Sequence, residues 1–331
     1  MGKFNAVLKD IRRYKRFLVT THHNPDADAV SSALAMALFL KSMGKQVNVL
    51  NEDACPQWLK FLPATRMFKK AGDVKAADHD AAIVLDCGDL ARVGGVKKFI
   101  QKGKPLVNID HHVTNDRFGD VNMVQPKASS TCEMLFDLFE EAQYPLNKDL
   151  AVLLYAGLMT DTGSFRYDNT SAHSHDVARK LMAFKISAPQ MYARLYVGIP
   201  VADMKLFAEL IHKAQLLDGN RVYCVPLPKK VKDRFSDSFD LNEKLFNFLR
   251  SVEGIEVVAI LTELGPREIK INLRSQKEFN VAALAQQFEG GGHKKAAGCK
   301  IRGSLAVAQK MICAAIHKKL RPAGSVSSRR A

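Results

Sequence analysis

Short runs of Val, Ile and Leu punctuate the first third of the chain: Phe17 to Thr21, Val47 to Leu50, Ala81 to Leu85 and Leu106 to Ile109. These apolar runs carry little polar alternation, so both faces are expected to be buried, as in parallel strands of an α/β sheet. Helical periodicity lies between and after them. One helix is predicted from near Ala29 through SSALAMALFLKSM to Gly44, a good C-terminal stop. Ser129, Ser130 and Thr131 can cap a second, reaching about Glu141, and a third spans Asp149 to Met159. The Met and Phe positions of AMALFLKSM read as a core-facing stripe rather than a cofactor site.

After Leu181 the pattern changes to AFKISAPQMYARLYVGIPVADMKLFAELIHKAQLLDG, whose prolines and helical stretch read as a connector. From Arg221 onward strands are expected in VYCVPL, Ile255 to Leu261 and Ile269 to Leu273, with helices at Val281 to Phe288 and Leu305 to Leu320. The expected fold class is therefore α/β. A parallel-sheet N-terminal domain would occupy 1–187, a helical connector 188–214 and a smaller α/β domain 215–321. A flexible basic tail would follow at 322–331. A length of 331 residues suits two domains at roughly 100 to 200 residues each. The sequence shows no internal repeat.

Composition narrows the classes further. No apolar run approaches the ~18 to 20 residues of a membrane helix, and MGKFNAVLKDIRRYKRF is amphipathic and basic without a signal-peptide core. A cytoplasmic protein without a membrane partner is expected. The six cysteines, at 55, 87, 132, 224, 299 and 313, stand singly with no Cys-x-x-Cys pair, which argues against a zinc knuckle or a disulfide framework. Lys and Arg number 49 against 34 Asp and Glu, a net charge of +15 that favours anionic substrates. The positive residues are spread along the chain with no aromatic-interleaved basic stripe, so a merely solvated basic surface stays open.

Acidic and imidazole residues recur where apolar runs end: His22, Asp26 and Asp28 in THHNPDAD, Asp86 in IVLDCGD, Asp110, His111 and His112 in VNIDHH, and Asp161 in LMTDTGSF. All but Asp161 follow a predicted strand, and carboxyl ends of strands in open α/β sheets are where ligands collect. Gathering such groups is costly unless something positive holds them, which points to a divalent metal pair. Singly, each has a plainer reading. Asp26 and Asp28 suit a helix cap, Asp86 a turn, and Asp161 the loop after a helix. Pro25 restricts the first turn, and on an extended path Asp26 and Asp28 would point the same way, each towards a different ion. Three consecutive ionisable groups at Asp110 are unlike core residues. Farther on, Gly290, Gly291 and Gly292 would let backbone amides wrap a phosphate, with His293 adding a donor; a flexible hairpin is the alternative. Arg274, ending IKINLRS, is a candidate phosphate clamp, with surface solvation as its competitor.

Taken in order, HHNPDAD, LDCGD, DHH, TDTGSF and GGGHKKAAG resemble the DHH phosphoesterase superfamily with its DHH-associated C-terminal domain, from about Phe17 to Leu320. Within it the chain is most similar to the bifunctional oligoribonucleases and 3'-phosphoadenosine-5'-phosphate (PAP) phosphatases. The resemblance implies one metal on His22, Asp26 and Asp86, and a second on Asp28, Asp86, His111 and Asp161, with Asp86 bridging. Asp110 would orient a histidine by accepting its ring proton, and His112 would face the scissile phosphate, so Asp86, Asp110 and His112 form the implied catalytic set. The segment Gly290 to His293 would be the substrate loop. Oxygen and imidazole ligands without thiolate suit two Mn²⁺ ions, the usual family metal, with Mg²⁺ or Co²⁺ as substitutes. Cys87 is expected to point away. The implied activity is hydrolysis of short RNA to mononucleotides and of PAP by two-metal activation of water, in a chain expected to form a homodimer. The alternatives are a phosphodiesterase for pApA or cyclic di-AMP and a non-catalytic nucleic-acid-binding module. Inorganic pyrophosphatases and processive exonucleases are more distant, having a differently built second domain or extra domains.

Overall fold

Six parallel strands form the first sheet: β1 (Arg16–Thr20), β2 (Gln46–Asn51), β3 (Phe68–Lys70), β4 (Ala81–Leu85), β5 (Leu106–Asp110) and β6 (Val121–Val124). Their order is β3-β2-β1-β4-β5-β6, with every neighbouring pair parallel. Connectivity runs outward in opposite directions from β1 and β4, so a crevice opens at their carboxyl ends, where ligands of open α/β sheets bind. The chain is described by a computed structural model covering residues 2–236, 239 and 241–320. The tail expected at 322–331 lies outside the described residues.

The four predicted strands are β1, β2, β4 and β5, and the uniform burial of β4 and β5 has the expected cause. Phe17, Val19, Ala81, Ile83 and Leu85 pack into a helical layer, while Leu18, Ala82 and Val84 pack on the opposite face with Val93, Val96 and Phe99. Short edge strands β3 and β6 were not predicted: FKK and VNMV lack a continuous apolar run, and an edge buries less. The helical layer contains α1 (Asn5–Arg13), α2 (Ala27–Ser42), α3 (Thr131–Glu141), α4 (Lys148–Asp161), α5 (Ala172–Met182) and α6 (Ala188–Tyr196). Helices α2, α3 and α4 pack against one another. Their start signals are capping side chains: Asp26 accepts from Ala29 N, Ser130 from Glu133 N and Asn147 from Leu150 N.

The chain divides into compact units at Gly198 and Ile199. The segment expected as a connector, 188–214, is shared between them: α6 contacts α4 in the first unit, and α7 (Val201–Lys213) contacts a strand of the second. That second unit contains β7 (Gln215–Leu217), β8 (Val222–Leu227), α8 (Lys229–Lys232), α9 (Leu241–Arg250), β9 (Val257–Gly265), β10 (Glu268–Ser275), α10 (Val281–Ala285), β11 (Gly291–His293), β12 (Ala296–Arg302) and α11 (Leu305–Lys319). Its sheet runs β11-β12-β10-β9-β8-β7 and is mixed, with β8 and β9 parallel and the other pairs antiparallel. Separate apolar clusters lie on its two faces, one with α10 and α11 and one with α9. No described helix is long and apolar enough to cross a membrane.

Candidate metal centre

Backbone geometry at the ends of β1 and β4 sets the site. Asp86 follows β4 immediately and takes a left-handed conformation, φ 52°, while its N–H donates to Ile109 O at 3.0 Å. Aspartate tolerates this region better than most residues, and such strain persists where the surroundings hold it. The turn puts its carboxylate, 2% exposed, between three imidazoles: His22 Nε2 at 3.6 Å, His111 Nε2 at 3.5 Å and His112 Nδ1 at 3.8 Å. Thr131 Oγ1 donates to the same carboxylate at 3.1 Å.

Asp26 and Asp28 do not share an extended turn. Asp26 is the N-cap of α2 and Asp28 lies in its first turn, so they diverge. The Asp26 carboxylate uses Oδ1 to cap Ala29 N at 3.0 Å and brings Oδ2 to 3.8 Å from His22 Nε2. The cap reading and the ligand reading are therefore both satisfied, by different oxygens. Asp28 is fully buried and accepts from Thr131 N at 2.7 Å and Cys132 N at 3.0 Å, the first amides of α3 that lack helical partners. Asp161, the last residue of α4 rather than a loop residue, brings Oδ2 to 3.1 Å from His111 Nε2.

Each histidine of the cluster is oriented through Nδ1. That atom donates to His23 O at 2.9 Å in His22, to Ala128 O at 3.3 Å in His111 and to Asp110 Oδ1 at 2.6 Å in His112. The acceptors fix the tautomers and leave Nε2 of His22 and His111 as lone-pair donors facing carboxylates, the usual arrangement of a metal-binding imidazole. Asp110 accepts from Asn115 Nδ2 through its other oxygen at 2.6 Å.

Donor atoms fall into three groups whose members lie within 4.8 Å of one another: His22, Asp26 and Asp86; Asp28, His111 and Asp161; and Asp86, His111 and His112. The first group has the same members as one ligand set implied by the sequence resemblance, and the second has those of the other set without Asp86, whose carboxylate lies near both His22 and His111. Cys87 stays apart, its thiol donating to Asp89 O and pushed up to about 12 by burial.

The electrostatics explain what the cluster needs. Burial raises Asp28 well above the usual carboxylate range, and the Asp86 and Asp161 charges add to it; burial likewise raises Asp161 to about 6. Burial opposes charge on Asp86 too, yet the His111 and His22 imidazoles hold it well below its ordinary value. Those histidines resist burial by taking protons against the acids: Asp86 raises His22, and Asp161 and Asp86 raise His111 strongly. Among the described residues no Lys or Arg ion pair reaches Asp26, Asp28, Asp86, Asp110 or Asp161, in a chain with 49 Lys and Arg. Oxygen and imidazole donors, tautomers set for ligation and missing fixed cations together fit divalent metal ions.

Several residues of this framework carried no periodic signal in the sequence. Thr131 was read only as part of a cap. Asn115 binds Asp110, Asn108 Oδ1 and Cys87 O, tying β5 to the segment that follows β4. Gly157, inside α4, lies so close to α2 and α3 that an added Cβ would stand 2.4 Å from both Asp28 Oδ1 and Cys132 Sγ. A glycine in an apolar helix run was the available clue.

The second unit places its predicted residues differently. Gly291, Gly292 and His293 form strand β11 instead of a loop, pairing with Gly298, Ala297 and Ala296. At Gly290 a Cβ would lie 2.2 Å from Gly298 O, and at Gly292, φ 138°, 2.5 Å from Ala296 O. Close strand approach accounts for those two glycines; only Gly291 has open space. Arg274 sits on β10 opposite Ala296, with its guanidinium 4.6 Å from the Phe246 ring centroid.

Comparison with known proteins agrees with this division. The DHH family, N-terminal domain, matches residues 16–158, and the DHHA1 domain matches 241–318. A Thermus thermophilus protein named bifunctional oligoribonuclease and PAP phosphatase NrnA is 28% identical over 310 residues, covering 92% of this chain and 90% of its own. The Bacillus subtilis protein of the same name is 26% identical over 299 residues, covering 89% and 92%. Among solved structures, an exopolyphosphatase-related protein from Bacteroides fragilis superposes with a TM-score of 0.87 at 26% identity over 96% of each chain. With both domains matched in order and its acidic cluster at the carboxyl edge of the first, the chain carries a DHH domain followed by a DHHA1 domain and is a hydrolase of phosphoesters.

Proposed function

We propose that this protein hydrolyses short oligoribonucleotides to mononucleotides and removes a phosphate from 3'-phosphoadenosine-5'-phosphate, using two divalent cations of which Mn²⁺ is the working choice. The observation that supports this most is the meeting of His22, Asp26 and Asp86 beside Asp28, His111 and Asp161 with, among the described residues, no lysine or arginine paired to the acids. His22, Asp26 and Asp86 would hold one cation, and Asp28, His111 and Asp161 the other, with Asp86 shared. When bound, such ions supply Lewis acidity towards phosphoryl oxygens and lower the pKa of water.

The remaining steps belong to the protein. Asp110 accepts a hydrogen bond from the Nδ1–H of His112 and thereby fixes the ring, leaving Nε2 to hold a proton against a phosphate or leaving oxygen. Asn115 keeps Asp110 in place. Thr131 restrains Asp86 so that one carboxylate serves both halves of the cluster. In the second unit Arg274, the open backbone at Gly291 and His293 would hold nucleotide phosphate. The free state of all six thiols supports a reducing, cytoplasmic setting.

The test is hydrolysis of labelled di- to pentanucleotides, PAP, pApA, cyclic di-AMP and polyphosphate with Mn²⁺, with and without chelator. Preference for short RNA and PAP, lost in chelator, is expected. Preference for a cyclic dinucleotide or polyphosphate would replace the proposed substrates, and binding of RNA without turnover would leave only a binding module. Light scattering on the same samples reads the expected homodimer.

A further inference from the structure

Arg92 lies beside the metal cluster without joining it. It belongs to the segment after β4 that contains Asp86 and Cys87, which faces the segment after β1 that contains His22. The two segments are fastened at one atom: Arg92 O accepts from His23 N at 2.7 Å and from His23 Nδ1 at 2.8 Å. Both lone pairs of that carbonyl are thus used to hold Arg92 one residue from His22, at the rim of the crevice between β1 and β4.

Arg92 is half-buried. Among the described residues the Arg92 guanidinium has no hydrogen bond or ion pair, whereas Asp26, Asp86, Asp110 and Asp161 of the cluster are paired with histidines. Its charge reaches His22, where it opposes protonation, and Cys87, where it favours the thiolate. A guanidinium partly withdrawn from water and left without an oxyanion is unfavourable, and its planar fork matches a phosphate better than a lone carboxylate oxygen.

We propose that Arg92 contacts the substrate phosphate at the metal site, binding non-bridging oxygens through its fork while the His23 clamp holds its backbone. The inference rests on the proposed phosphoesterase reading and adds a residue to it. It also gives His23 a purpose: positioning Arg92, whereas His22 faces the acids.

The experiment uses the full chain with Mn²⁺, comparing wild type with Arg92→Lys, Arg92→Gln and Arg92→Ala. Inorganic phosphate serves as the competitive probe alongside kcat and KM on PAP. Loss of the fork should weaken phosphate inhibition about tenfold or more in Arg92→Gln, with only partial recovery in Arg92→Lys. Added guanidinium should restore part of the Arg92→Ala rate, and Mn²⁺ affinity and melting temperature should stay at wild-type values. Unchanged phosphate inhibition in all three variants, in an enzyme that turns over, would overturn the inference and leave the functional proposal standing. So would a loss traced to weakened Mn²⁺ binding, which would make Arg92 structural. A wild type that binds phosphate through Arg92 but hydrolyses no phosphoester would keep this inference and remove the functional proposal.

Discussion

The two units treat their polar residues in opposite ways. In the first, His22, Asp86, Asp110 and His111 lie at strand ends, and Asp86 occupies a left-handed backbone that regular structure does not require. Their burial, and the repulsion among the acids, work against folding. In the second, Arg274 and Gly291 to His293 lie within paired strands, and Gly290 and Gly292 are explained by backbone approach alone. A residue that the fold would do better without marks chemistry more reliably than one that packing already demands.

The sharpest break of that comparison is Asp86→Ala against Arg274→Ala. Removing the shared carboxylate should cost at least about 10³-fold in kcat on every substrate, several kcal/mol of lost charge stabilisation. Arg274→Ala should instead raise KM about ten- to a hundredfold and leave Mn²⁺ affinity unchanged. Steady-state kinetics with metal titration separates the two; a kcat collapse in both would erase the distinction between the units.

Glycines give the next largest effect. Gly157→Ala inserts a methyl against Asp28 and Cys132 and should cost about 1–3 kcal/mol of stability together with most activity. Gly292→Ala, strained at positive φ and against Ala296, should cost a similar amount of stability, whereas Gly291→Ala should be nearly neutral in the melt. Urea unfolding of the three variants reads this directly, and equal losses at 291 and 292 would restore a ligand-only reading of the glycine run.

Asp161→Asn probes the electrostatic cost. In chelator the variant should melt a few degrees above wild type, because one acid leaves a crowded buried cluster; with Mn²⁺ the order should reverse. The same melting order in both buffers would mean that no cation compensates the cluster.

The smallest effect lies at the opposite end of β1 and β4 from the site. Hydrogen bonding to Arg16, Nε at 3.0 Å, lowers Asp80 to about 2. Depressed in the folded state, this group stabilises the fold above its ordinary value near 3.8, and the contribution fades as pH falls towards 2. Asp80→Asn should slightly flatten the decline of the urea midpoint between pH 4 and pH 2, and an unchanged profile would remove the pair from the acid response. At this exposed position the effect is small.

Much of this was legible beforehand. Continuous apolar runs named the four central strands because a doubly covered sheet leaves no polar face, and capping side chains marked the starts of α2, α3 and α4. Edge strands β3 and β6 escaped notice because they bury too little to need an apolar pattern. The glycine run was read as a loop because open backbone and tight strand packing both select glycine. Arg92 carried no signal at all, since its meaning depends on which carbonyl His23 meets.

What the sequence determined by itself was the inventory: strands buried on both faces, helices with their caps, and acids and histidines at the strand ends, all of which are local consequences of hydrophobic period and side-chain chemistry. Only the tertiary structure decided that Asp26 and Asp28 diverge, that Asp28 meets the amides of α3, and that Gly157 makes room for it. Those contacts join residues more than a hundred positions apart, such as Asp28 and Thr131. Local pattern carries no distance across such a gap; packing of the helices on a shared sheet sets it.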